Sequence, residues 1–142
     1  DWKDLDFIIV DMPPGTGDTQ LTFAQEIKVD GAIIVSTPQE LALQDVKRGI
    51  AMFDKLKVDI IGLVDNMSYF IGDDSKKYSI FGDGGVKKTA EEFNKNFLGE
   101  IPINSDIGKF GDQGTPIVEK FPDHEISKIY TDFANKLKSQ FI

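Results

Sequence analysis

The 142-residue chain contains no cysteine. That absence excludes disulfides, thiolate catalysis, and zinc or iron–sulfur centres ligated by cysteine within the chain. Long apolar runs are missing too. No stretch approaches the ~20 residues that cross a bilayer, so no membrane anchor is expected. Histidine occurs once, at His124, and neither a Ser/His/Asp relay nor a metal-binding histidine cluster can be assembled. Its position beside Pro122 and Asp123 reads as surface. Basic residues are outnumbered, 16 against 24 acidic ones, and are scattered rather than gathered in a stripe, which argues against nucleic acid as a partner. The first residues, Asp1-Trp2-Lys3-Asp4, lack the basic region of a signal peptide, and a cytoplasmic location is expected.

What is present is typical of a soluble globular protein: 40% hydrophobic and 28% charged residues. A chain of this length fits one domain, residues 1–142, burying about two-thirds of the surface its unfolded form exposes.

Leu5-Asp6-Phe7-Ile8-Ile9-Val10 is a nearly continuous apolar run ending at Asp11, the pattern of a parallel strand covered on both faces. Residues 31–36 and 58–64 repeat it, and residues 97–101 give a fourth candidate. Helical periodicity falls between them, over 18–28, 38–56, 85–95 and 124–140. In the second of these Leu43, Val46, Ile50 and Phe53 share a face. Thr37, Pro38 and Glu40 have the spacing of a capping box at its start. Alternating strands and helices predict a doubly wound α/β fold with a mostly parallel sheet of at least three strands. Residues 68–84 show no regular period but carry Tyr69, Phe70, Tyr78 and Phe81, as a packed or partner-facing loop would.

The sharpest chemical signal is Asp11-Met12-Pro13-Pro14-Gly15-Thr16-Gly17-Asp18, placed where a buried strand gives way to a loop and a helix. Ligands of open parallel sheets collect beyond the carboxyl ends of the strands, so Asp11 is positioned to hold Mg²⁺ through water. Gly15 and Gly17 allow close backbone approach to a phosphate, and the loop is placed to sense a γ-phosphate. An acidic, proline-rich turn that merely ends a strand is the plain alternative. Asn66 lies just beyond the run 58–64, and its amide can donate to and accept from the edge of adenine; a turn-forming Asn is equally consistent with the spacing. The segment Gly99-Glu100-Ile101-Pro102 either brings Pro102 and its backbone to the other side of a base or simply stops a strand. Thr37 to Glu40 also lies after a strand, but capping accounts for it. Asp73 and Asp74 lack the alternating oxygen ligands of a calcium loop.

These strings resemble the carboxyl-terminal part of the Mrp/ApbC group of P-loop ATPases, within the MinD/ParA class. The resemblance covers essentially all 142 residues and rests on Phe7 to Asp18, Ser36 to Glu40, Asp65 to Phe70, Phe81 to Gly85, Phe97 to Pro102 and Gly114 to Val118. It implies an ATP- and Mg²⁺-dependent homodimeric ATPase that carries a bridging iron–sulfur cluster to apo-proteins. Asp11 would be the Walker B acid, Gly15 the switch glycine and Asn66 an adenine contact. Two departures follow. The phosphate loop with its lysines is not within these residues, so this chain alone is expected to bind ATP poorly and to be inactive as a hydrolase. The Cys-x-x-Cys pair that follows the Asn-Met-Ser-Tyr-Phe string in the group is replaced by Gly72 and Ser75, which cannot ligate iron as thiolates. Competing readings are a nonenzymatic dimerisation or partner-binding module, and a MinD/ParA-like positioning ATPase. The Asn66 to Phe70 string and the lack of an amphipathic membrane tail weigh against the last.

Overall fold

The computed structural model describes residues 3–13 and 17–141. In chain order the elements are α1 (Asp18–Glu26), β1 (Ala32–Ser36), α2 (Glu40–Leu56), β2 (Ile60–Asn66), β3 (Phe70–Ile71), β4 (Lys77–Tyr78), α3 (Gly85–Glu92), β5 (Phe97–Ile101), α4 (Ser105–Asp112), α5 (Ile117–Lys120) and α6 (Glu125–Phe141). The main sheet has the order β1-β2-β5 and is parallel throughout. β3 and β4 form a separate antiparallel hairpin.

Both faces of this sheet find apolar cover, and the register shifts at Ala32/Ile33 and Leu63/Val64 interrupt the alternation of sides along β2 and β5. On one face Ile60 and Leu63 of β2 meet Leu43, Val46 and Ile50 of α2 and Val86 and Ala90 of α3. On the other, Val64, Leu98 and Ile101 pack against Ile129, Tyr130, Phe133 and Leu137 of α6 and Ile107 of α4. A satellite cluster of Phe110, Ile117 and Ile126 joins α4, α5 and α6. Helices on both faces of a parallel sheet make the domain doubly wound, as the periodicity predicts. Lys136 of α6 donates to the Leu98 carbonyl at 2.9 Å, so one helix also tends the backbone of an outer strand.

Three expectations need correction. Residues 5–10 form no strand, and their side chains are exposed, Ile9 to 80%. Apolar, β-branched composition supplies propensity, but a strand is made by a neighbour's ladder bonds, and no described segment pairs with this one. Its closest aromatic packing is Phe7 edge-on to Phe141, with ring centroids 6.4 Å apart. The capping box is also not formed: α2 begins at Glu40, Gln39 is its N-cap without a side-chain bond, and Thr37 Oγ1 reaches only Gln39 Oε1 at 3.5 Å. The buried Pro38 lies against the glycine turn before α3, where a Cβ on Gly85 would stand 2.9 Å from the Pro38 carbonyl oxygen. That packing holds residues 37–39 out of the helix. Finally, His124 is no idle surface residue. Its carbonyl accepts from Lys128 N–H at 3.1 Å and its Nδ1 accepts from Ile126 N–H at 3.2 Å, so it caps α6.

Candidate functional site

Strand register brings two of the four predicted site residues together. Asn66, the last residue of β2, is half-buried and lies in register with Ile101 of β5, which places Pro102 one residue beyond it on the same edge. Backbone geometry fixes the pair. Met67 takes a left-handed conformation (φ 54°), turning the chain so that Ser68 donates to the Ile101 carbonyl from both N–H (3.1 Å) and Oγ (3.2 Å). Ile103 N–H then donates to the Tyr69 carbonyl at 2.7 Å, extending the pairing past the strand ends. The buried Pro102 has no N–H, so its carbonyl is the hydrogen-bonding group its backbone offers a ligand.

The other two residues are not part of this edge. Asp11 is exposed, directly follows the irregular segment 5–10 and joins no strand, and Gly15 lies outside the described residues. The loop after Asp11 is tied back to α1, since the buried Gln20 donates from Nε2 to the Pro13 carbonyl at 2.6 Å. Gly17 begins the helix by accepting from Leu21 N–H at 3.2 Å, and Asp18 places a negative charge in its first turn.

Between these positions lies a group that sequence reading passed over. Asp65 is 1% exposed, and neither carboxylate oxygen has a hydrogen-bond partner among the described residues. It sits in the middle of a row across all three strands, in register with Ser36 of β1 and Glu100 of β5. Burial, then the negative charges of Glu100 and Asp83, push its acid up from 3.8 to about 6, against the pull of Lys77. The only sequence signal was the Asp65-Asn66 pair closing an apolar run that the strand continues through.

The long loop 68–84 contains the β3–β4 hairpin. Its turn is closed internally: Gly72 N–H donates to the Lys76 carbonyl (3.0 Å), Ser75 N–H to the Gly72 carbonyl (2.8 Å), Lys76 N–H to Asp74 Oδ1 (3.1 Å) and Tyr78 Oη to Asp74 Oδ2 (2.9 Å). A Cβ on Gly72 would lie 2.9 Å from both Asp74 Oδ1 and Tyr78 Cε2, so a side chain there displaces that network. With no cysteine in the chain, and no group of three His, Cys, Asp or Glu among the described residues able to hold a metal ion, these residues do not fit an iron–sulfur cluster. The hairpin exposes Phe70, Ile71 and Tyr78 instead. No described helix is long and apolar enough to cross a membrane.

Comparison with known proteins agrees with this architecture. Residues 1–138 match the family described as ParA: NUBPL iron-transfer P-loop NTPase. The chain is 48% identical over 138 residues to an Arabidopsis thaliana iron–sulfur protein required for NADH dehydrogenase, mitochondrial, covering 96% of this chain and 44% of that protein. It is 45% identical over 140 residues to an iron–sulfur cluster carrier protein of Salmonella typhimurium, covering 98% of this chain and 38% of the relative. The chain thus spans less than half the length of these relatives. Among solved structures, a nucleotide-binding protein of Archaeoglobus fulgidus in complex with ADP superposes with a TM-score of 0.64 at 42% identity, over 72% of this chain and 43% of that one. The cell division ATPase MinD of Pyrococcus furiosus shares the fold, with a TM-score of 0.71 at 20% identity over 95% of this chain and 52% of its own. By sequence and by fold, the chain belongs to the NUBPL iron-transfer P-loop NTPase family.

Proposed function

We propose that this chain supplies the base-side edge and a partner-facing hairpin of a homodimeric, ATP- and Mg²⁺-dependent iron–sulfur cluster carrier that delivers its cargo to apo-proteins. The observation that carries the reading is the meeting of Asn66 and Pro102 at the carboxyl edge of β2 and β5. Asn66 would donate to and accept from adenine, and the Pro102 carbonyl would take a further base or ribose donor. Asp11 would hold Mg²⁺ through water, and Gly15 would allow the following backbone to approach the γ-phosphate. When bound, Mg²⁺ supplies charge neutralisation at the phosphates.

The relatives named as cluster carriers support the cargo class. This chain offers no thiolate, so residues 1–142 supply no cysteine ligand to such a cluster. Asp11→Asn in the full-length protein is the test. Loss of ATP hydrolysis with an unchanged circular dichroism spectrum is expected, and undiminished hydrolysis overturns the assignment. A second reading, a nonenzymatic partner-binding module, is favoured by the missing cysteines and the exposed Phe70, Ile71 and Tyr78. Absence of both nucleotide binding and hydrolysis in the unmutated full-length protein would select it.

A further inference from the structure

The β3–β4 hairpin is bound to the sheet at two levels. Its root is fixed by backbone, through Tyr69 with Ile103 and Ser68 with Ile101. Farther along, Lys77 of β4 reaches back to Glu100 of β5 at 2.9 Å, its ammonium 4.0 Å from the centre of the Tyr69 ring. Bonds within the turn are internal and hold the hairpin's shape without holding its position. Glu100 is itself the register neighbour of the buried, unpartnered Asp65. The Lys77 ammonium is therefore bonded to one of two carboxyl-bearing residues that stand side by side in the strand register.

We propose that Lys77, Glu100 and Asp65 form a proton-controlled latch that fixes the hairpin to the carboxyl edge of the sheet and closes more tightly when Asp65 is ionised. The charged groups that act on Asp65 are Glu100 from β5, Lys77 from β4 and Asp83 from the turn before α3. Glu100 and Asp83 favour its protonated form and Lys77 favours its ionised form. Linkage is reciprocal: if a docked Lys77 helps Asp65 lose its proton, ionised Asp65 must draw Lys77 into the docked position by the same free energy. The ammonium also keeps its bond to Glu100 and its place over the ring, so ionisation adds to an existing contact. Asp65 directly precedes Asn66 and Glu100 lies two residues before Pro102, so hairpin position and the sheet edge share the same strand ends.

Amide hydrogen exchange of residues 70–78, corrected for the intrinsic pH dependence of exchange, tests this in the intact chain. Protection should rise about fivefold between about pH 5 and about pH 7.5, the scale of a solvent-screened ion pair, since Lys77 is half-exposed. In Asp65→Asn the rise should vanish while exchange in the α2 core is retained. In Lys77→Met protection should be both lower and flat across the same range. Because Lys77 is half-exposed, that variant gives an arm independent of any packing change at position 65. Flat protection in the unmutated chain, or a rise that persists in either variant, would overturn the latch.

Discussion

Replacing Asp65 by Asn should stabilise the protein at neutral pH and leave it nearly unchanged in acid. Asn keeps the shape and a buried neutral amide in place of a buried neutral acid, so the substitution removes chiefly the ability to ionise. The acid titrates at 3.8 in the unfolded chain and at about 6 in the fold. Its neutral form is thus favoured by folding: the contribution is fully present below the lower value, declines as pH rises between the two, and is gone above about 6. At about 1.4 kcal/mol for each pH unit, ionising Asp65 costs the native state about 3 kcal/mol at neutral pH. For a domain of this size about 1 kcal/mol moves the midpoint by about 3 °C, so Asp65→Asn should melt about 9 °C higher at about pH 7.5. Thermal and urea unfolding followed by far-ultraviolet circular dichroism, on both proteins at about pH 4 and about pH 7.5, measure the difference. A variant less stable than the parent at the higher pH, or a difference that does not change with pH, would refute the reasoning.

Three further substitutions probe the scaffold by the same unfolding measurements. Ile50 is fully buried between α2 and the sheet, and Ile50→Ala should cost about 3–4 kcal/mol, the transfer of lost methyl groups plus the cavity left behind. Gly99 has φ +146°, and a Cβ there would stand 2.7 Å from the Phe133 ring, so Gly99→Ala should cost about 2–3 kcal/mol by strain and by pushing α6 off the sheet. Asn104 caps α4 by accepting from Asp106 N–H at 2.8 Å, and Asn104→Ala should cost about 1 kcal/mol.

Much of this fold was legible because its signals are local and agree with one another. Period-3.6 apolar positions marked α2 and α6, short β-branched runs marked β1 and β2, and the weaker run 97–101 marked β5 with both ends correct. What failed depended on neighbours distant in sequence. The run 5–10 has the composition of a strand, yet no described segment pairs with it. Thr37-Pro38-Gln39-Glu40 has the letters of a capping box, but Pro38 is claimed by the glycine turn at 82–85. The helices α4 and α5, with 8 and 4 residues, are too short for a periodic pattern to register and depend on the Phe110, Ile117 and Ile126 cluster.

The site divides the same way. Asn66 and Pro102 were singled out by their places near strand ends, and parallel register brings those strand ends to one edge. Asp65 was missed because an Asp at a strand end reads as a polar boundary; only tertiary packing makes it 1% exposed. The aromatics of residues 68–84 suggested a packed or partner-facing loop, and the hairpin inside it went unread because it rests on strands of two residues each, below the reach of alternation.

The most direct test of the proposed nucleotide edge is base selectivity in the full-length protein carrying Asn66→Asp. Adenine presents both a donor and an acceptor to an amide, and a carboxylate can answer only the donor. Titration calorimetry should show Mg·ATP affinity falling about 10-fold or more, the worth of about 1–3 kcal/mol for a bidentate base contact, while GTP affinity does not fall. Unchanged ATP affinity in the folded variant would contradict the account and remove Asn66 from the site.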